Sequence, residues 1–179
     1  MTEPAAVPGG GEAAAFHDRF VALFDAHFPR LYRYLDRLSG DPDLAADLAQ
    51  EAFVRLYRRG SLPDAPVPWL VSVTMNLFRN SRTTGRRRRL LLTPSRARAA
   101  HGDPPASPEE SVLAAETRRR VRTAIDRMPE RDRQLLLLRA EGLSYRELAL
   151  AVGIHEASVG TLLARARAAF RRLYEVPPE

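Results

Sequence analysis

The stretch "LSYRELALAVGIHEASVGTLLARAR", Leu143 to Arg167, reads as two short helices broken at Gly153. Ser144 and Glu147 have capping-box spacing, so the first helix is predicted to begin at Tyr145. Beyond Gly153, Val159, Leu162, Leu163, Ala166, Phe170 and Leu173 recur at helical spacing and form an inward stripe. The opposite face carries Glu156, Gly160, Thr161, Ala164, Arg165, Arg167, Arg171 and Arg172. Two helices that cross closely need a small residue at the contact, a turn residue that tolerates positive φ, and a β-branched core residue on the second helix. Ala149, Gly153 and Val159 occupy those places. The residues alone fit a DNA-binding helix-turn-helix, and they also fit a plain helical hairpin with a solvated basic face.

All 28 basic residues of this 179-residue chain are arginine, and the formal net charge is +6. With a sequence pI near 10.6, an acidic partner such as nucleic acid is expected, and arginine forks onto phosphate in ways lysine cannot. A coding bias towards Arg and Ala explains much of the same excess. There are no cysteines, which excludes disulfides, thiol sensing and cysteine-ligated zinc. The histidines, His17, His27, His101 and His155, have no metal-ligand spacing. No apolar run approaches the roughly 20 residues of a membrane span. "MTEPAAVPGGGEAAA" has an acidic residue and no apolar core, so it reads as a disordered tail and not a signal peptide. A cytoplasmic protein is expected.

Outward from the opening stretch, the chain divides into two helical blocks with no strand signal. Residues 1–15 are the tail. The first block, 16–85, opens with Phe16, Phe20, Leu23, Phe24, Leu31, Leu35 and Leu38 at helical spacing, and Pro29 is expected to bend or divide that helix. Asp41 then caps a second helix with Pro42 at its first position, an apolar face of Leu44, Leu48, Ala52 and Leu56, and Gly60 beyond its end. After the proline-rich "SLPDAPVP", a third helix is predicted from near Trp69 into an arginine run. Residues 86–107 mix Arg, Pro, Ser and Gly without sustained period and read as a flexible linker. The second block, 108–175, opens with a capping box of Ser107 and Glu110 and a buried stripe of Val112, Ala115, Val121, Ile125 and Met128. A short helix from Pro129 to Gly142 carries the Leu135–Leu138 run as core. The fold class is all-α: two small helical domains, the second containing the helix-turn-helix.

"AIDRMPERDRQLLLLRAEGLSYRELALAVGIHEASVGTLLARARAAFRRL" resembles region four of bacterial RNA polymerase sigma factors of the extracytoplasmic-function type. "GDPDLAADLAQEAFVRLYRR" and "PWLVSVTMNLFRNSR" are similar to their region two. The resemblance runs from Phe20 to Leu173 and includes the order of the regions and the linker length. It implies a sigma factor that is not an enzyme and has no cofactor. The implied partners are core RNA polymerase, promoter DNA and an anti-sigma protein.

The resemblance also implies site residues. The motif Asp-Leu-x-Gln-Glu stands at Asp47, Leu48, Ala49, Gln50, Glu51, which assigns core polymerase binding to Asp47, Gln50 and Glu51. Their spacing puts the three on one helical face while Leu48 and Ala52 point inward. The third helix and the loop before it resemble the reader of the minus-ten element. Asn76 stands at the position of a common family asparagine, whose amide can both donate to and accept from an extruded base. Arg79, Arg82 and Arg86 are placed to line phosphates. Two departures are Met75, where arginine is usual, and Asn80, where aspartate is usual. For the minus-thirty-five element the implied residues are Ser158, Gly160, Thr161, Arg165 and Arg167. Here Gly160 replaces a lysine, Leu162 replaces an arginine, and His155 stands where a better N-cap or a proline is usual. No catalytic constellation and no metal site is visible. The competing readings are a stand-alone helix-turn-helix regulator and a sigma mimic that titrates a regulatory partner. The first leaves "DLAQEAF" unexplained, and the retained arginines in both blocks oppose the second.

Overall fold

The computed structural model describes residues 10–88 and 108–175, and the side chains of 13–81 and 113–175. Among these residues every element is an α-helix: α1 Gly10–Ser39, α2 Pro42–Arg59, α3 Pro66–Arg88, α4 Pro108–Arg127, α5 Glu130–Ala140, α6 Tyr145–Val152 and α7 Glu156–Glu175.

Every fourth residue from Phe16 to Phe28 is phenylalanine, so the rings stand on one face of α1. They meet α2 in the reverse order, Phe20 against Tyr57 at 5.1 Å and Phe24 against Phe53 at 5.0 Å between ring centroids. Chain reversal takes place at Gly40, whose φ of 69° is open to glycine at little cost. Asp41 then caps α2 by accepting from the Leu44 N–H, with Pro42 at the first position as expected. Beneath the ladder, Leu35, Leu38, Ala45, Ala49, Ala52 and Leu56 are buried. The apolar face of α2 thus includes Ala45, Ala49 and Phe53 besides the predicted Leu48, Ala52 and Leu56, whereas Leu44 is only partly covered.

Several expectations are corrected. α1 starts at Gly10, inside the stretch read as a tail, and it runs unbroken through Pro29. A proline inside a helix removes one backbone bond; before it Phe24 and Phe28 pack on Phe53 of α2, and after it Leu31, Leu35 and Leu38 are buried in the same core as Leu48 and Leu56 of α2. α3 starts at Pro66, ahead of Trp69; Pro66 and Pro68 fall in the first turn, where backbone N–H groups have no intrahelical partner. The predicted linker begins within α3, which extends to Arg88, and the rest of it lies outside the described residues. So do Ser107 and the Glu110 and Val112 side chains. On α4, Ala115 is exposed and Ala124 is the buried alanine.

The second block builds on local signals. α5 follows Pro129, and Leu135, Leu137 and Leu138 are buried. Ser144 accepts from the Glu147 N–H while the Glu147 carboxylate accepts from the Ser144 N–H at 2.8 Å, which completes the capping box of α6. Gly153 ends α6 in the left-handed conformation. α6 and α7 meet at 89°, close to the roughly 90–120° of helix-turn-helix pairs.

The two blocks share one hydrophobic core. Leu31, Tyr34, Leu70 and Val71 of the first belong to the same cluster as Leu138, Leu143 and Leu148 of the second. α1 packs on α5 and α3 packs on α6.

Candidate nucleic-acid interface

On α2, Leu48, Ala49 and Ala52 are buried, which turns Asp47 and Gln50 to solvent and leaves Glu51 partly covered. Glu51 accepts from Arg55 at 2.8 Å in an exposed i,i+4 pair. Beside Gln50 a groove opens between α1 and α2, floored by Phe20, Phe24, Phe28, Phe53 and Tyr57. The Asp47, Gln50 and Glu51 face therefore borders apolar surface.

On α3, Leu70, Val71, Met75 and Phe78 face inward and Asn76 is exposed on the opposite side. The Tyr34 hydroxyl donates to the Met75 sulfur at 2.9 Å. That contact explains the departure at Met75: the position is core in this chain, under a buried tyrosine, and an arginine there would need a partner for its charge. Burial holds the Tyr34 phenol well above its ordinary range. Arg79 donates from Nε to Glu130 Oε1 at 3.0 Å, across to α5. Arg82 and Arg86 lie on α3, their side chains outside the described set.

On α7, Val159, Leu163 and Ala166 are buried together with Ala169, while Leu162, Phe170 and Leu173 are partly covered. Ser158, Thr161 and Arg167 are exposed. Gly160 is partly covered by α6. A methyl group added there would meet only the Tyr145 ring, at an ordinary 3.7 Å. Arg165 donates from Nη2 to Asp132 Oδ1 at 2.9 Å. Asp132 and Glu130, which hold Arg165 and Arg79, did not emerge from the sequence as partners. Their position in the first turn of α5 reads equally well as a response to the helix dipole.

Comparison with known proteins follows this anatomy. Residues 23–88 match Sigma-70 region 2 and residues 118–170 match Sigma-70, region 4. The chain is 33% identical over 153 residues to the ECF RNA polymerase sigma factor SigE of Mycolicibacterium smegmatis, covering 83% of this chain and 59% of that protein. It is 30% identical over 168 residues to the ECF RNA polymerase sigma factor SigL of Mycobacterium tuberculosis, covering 91% of each. Among solved structures it resembles the sigma factor RpoE in complex with the anti-sigma factor NepR from Bartonella quintana, with a TM-score of 0.64 over 90% of this chain and 99% of that one. At 18% identity that likeness speaks to the fold. The chain therefore belongs to the sigma-70 family, and within it to the extracytoplasmic-function sigma factors. It spans about three fifths of the length of the SigE relative.

Proposed function

We propose that the protein is a promoter-specificity subunit that binds core RNA polymerase, recognises two promoter elements and helps open DNA near the start site, acting in the cytoplasm and performing no catalysis of its own. The observation that carries this reading is the presence in one chain of regions two and four, each presenting polar residues from a buried scaffold. Asp47, Gln50 and Glu51 form the polymerase-docking face, with the aromatic groove beside Gln50 as its apolar border. Asn76 takes an extruded base of the minus-ten element, and Arg79, Arg82 and Arg86 follow the phosphates. Ser158, Gly160, Thr161, Arg165 and Arg167 form the face of α7 that enters the major groove at the minus-thirty-five element. An anti-sigma protein is the proposed regulator, supported by the likeness in fold to a sigma factor solved with one.

Run-off transcription with purified core polymerase tests the reading. Promoter-directed transcripts are expected only when the chain and core enzyme are combined. Permanganate footprinting of the resulting complex should show melted thymines, and Asn76→Ala should reduce their reactivity more than it reduces closed-complex formation. A chain that binds promoter duplex unaided, and yields no specific transcript with core enzyme, would instead be a stand-alone regulator.

A further inference from the structure

Among the described residues, Arg165 is the one arginine of α7 held by an ion pair. Its Nη2 donates to Oδ1 of Asp132 at 2.9 Å. Asp132 stands in the first turn of α5, where the helix dipole favours a carboxylate. The aspartate is buried and α5 packs on α7, so the carboxylate is a fixed anchor while the arginine remains exposed. Ser158, Thr161 and Arg165 are spaced three and then four residues apart, which places them on one face of α7, and all three are exposed. A guanidinium is planar and presents its donors as a rigid fork. Nη2 carries two N–H bonds, one on each bidentate edge of that fork. A single bond to Asp132 therefore leaves one bidentate edge intact.

Charge decides what that edge suits. An unpaired arginine gains by neutralising a phosphate and releasing counterions. Arg165 already has a carboxylate on its guanidinium, so the pair has little net charge to offer a phosphate, and the carboxylate repels one. The free N–H donors suit an uncharged acceptor instead. In the major groove, guanine presents O6 and N7 side by side, the pair of acceptors that a bidentate arginine matches. Holding the fork in one plane removes the freedom that would let it follow the backbone, and that restraint favours a base edge over phosphate.

We propose that Asp132 is a positioning residue for promoter specificity: from α5 it fixes the Arg165 guanidinium on the Ser158 and Thr161 face of α7, so that Arg165 reads a guanine and not a phosphate. The tether stands on the geometry; its consequence for DNA rests on the sigma-factor reading of α7.

The experiment uses holoenzyme reconstituted from core RNA polymerase and the full chain. Run-off transcription from a template pool randomised across the minus-thirty-five element, read by sequencing, gives the base preference at every position. Salt titration of binding to a duplex of the most enriched sequence gives the second readout. Wild type should prefer guanine at one position by roughly 5- to 150-fold, and Arg165→Ala should lose that preference alone. Asp132→Ala, with Arg165 intact, should lose the same preference and keep the others. Its freed guanidinium can then meet a phosphate, so its salt slope should steepen by about 0.9. Asp132→Ala/Arg165→Ala should match Arg165→Ala in both readouts. A merely structural aspartate would weaken discrimination at every position and leave the slope no steeper. The positioning role is overturned if Asp132→Ala keeps the guanine preference, if it loses all preferences together, or if its effects persist without Arg165. If Asp132→Ala loses helicity, Asp132→Asn, which keeps the shape and removes the charge, is judged by the same readouts. A weaker guanine preference with a steeper slope supports the proposal, and failure of either change overturns it. A wild-type holoenzyme with no preference at any position fails the sigma reading itself, whereas a preference that Asp132→Ala leaves untouched fails the positioning role alone.

Discussion

Arg165 and Asp132 form an ion pair of unequal partners: the arginine side chain is 59% exposed and the aspartate 6%, with 2.9 Å between Nη2 and Oδ1. Water can solvate the arginine if the pair breaks, but it reaches the aspartate poorly. Arg165 therefore has a structural duty as well as its assignment to DNA. Arg165→Ala should destabilise the chain by about 1–3 kcal/mol, because a buried charged acceptor loses its donor. Arg167→Ala, on an exposed site, should stay within about 0.5 kcal/mol of wild type. Urea unfolding checks both. In promoter binding, Arg167→Ala should weaken all sequences alike if it contacts phosphate, and relax one position at a cost of about 1–3 kcal/mol if it reads a base.

The docking face on α2 should be separable from the fold. Asp47 and Gln50 are exposed, and Glu51 makes one solvent-facing pair with Arg55, of a kind worth about 0.3–0.5 kcal/mol. Asp47→Ala/Gln50→Ala/Glu51→Ala should keep its helicity and melt close to wild type, while affinity for core polymerase falls sharply. Wild-type affinity in that variant would remove α2 from the interface.

Gly160 is not required by the backbone. Its added methyl group would make ordinary contact with Tyr145, and glycine inside a helix costs roughly 1 kcal/mol against alanine. Gly160→Ala should raise stability by up to about that amount. Gly160→Lys, which restores the residue usual in the family, should raise run-off transcription from the native promoter. Loss of activity in both variants would mean that α7 needs the glycine for close approach to the DNA backbone.

Acidification should loosen the chain in two stages. Burial, reinforced by the Arg30 guanidinium and opposed by Glu147, holds His27 below its ordinary 6.5. Burial pushes the Glu147 carboxyl up, but the Ser144 N–H and hydroxyl, Arg30 and His27 outweigh it and leave it below its ordinary 4.5. Below 6.5 the unfolded chain takes up a proton at His27 before the folded chain does, so stability present above that pH is lost as pH falls. Glu147 contributes stability above 4.5 that is lost as pH falls further, when the α6 cap protonates. His27→Gln should abolish the first loss in a series of thermal melts and leave the second in place.

Local pattern carried the helices. Capping boxes, a proline at a first turn and apolar spacing act within one or two turns of chain, which is why Asp41, Ser144, Gly153 and the Val159 stripe could be read directly. The helical spacing of Phe16, Phe20 and Phe24 was also legible, although Phe53 and Tyr57, the rings of α2 that they meet, were set by packing. The region-two and region-four motifs assigned candidate roles to single residues, and burial then separated exposed Asn76 and Arg167 from Met75, which is core, and from Arg165, which is tied to Asp132. What the sequence did not disclose is how the two blocks meet. Glu141 meets Arg33 and Arg37 across more than a hundred residues of chain, and each of the 28 arginines is the same letter. Periodicity fixes which face of its own helix a residue occupies and is silent on which other helix comes to meet it. That choice falls to tertiary packing, where the Leu31, Tyr34 and Leu138 core brings α1 onto α5 and sets Arg30, Arg33 and Arg37 within reach of one buried helix end.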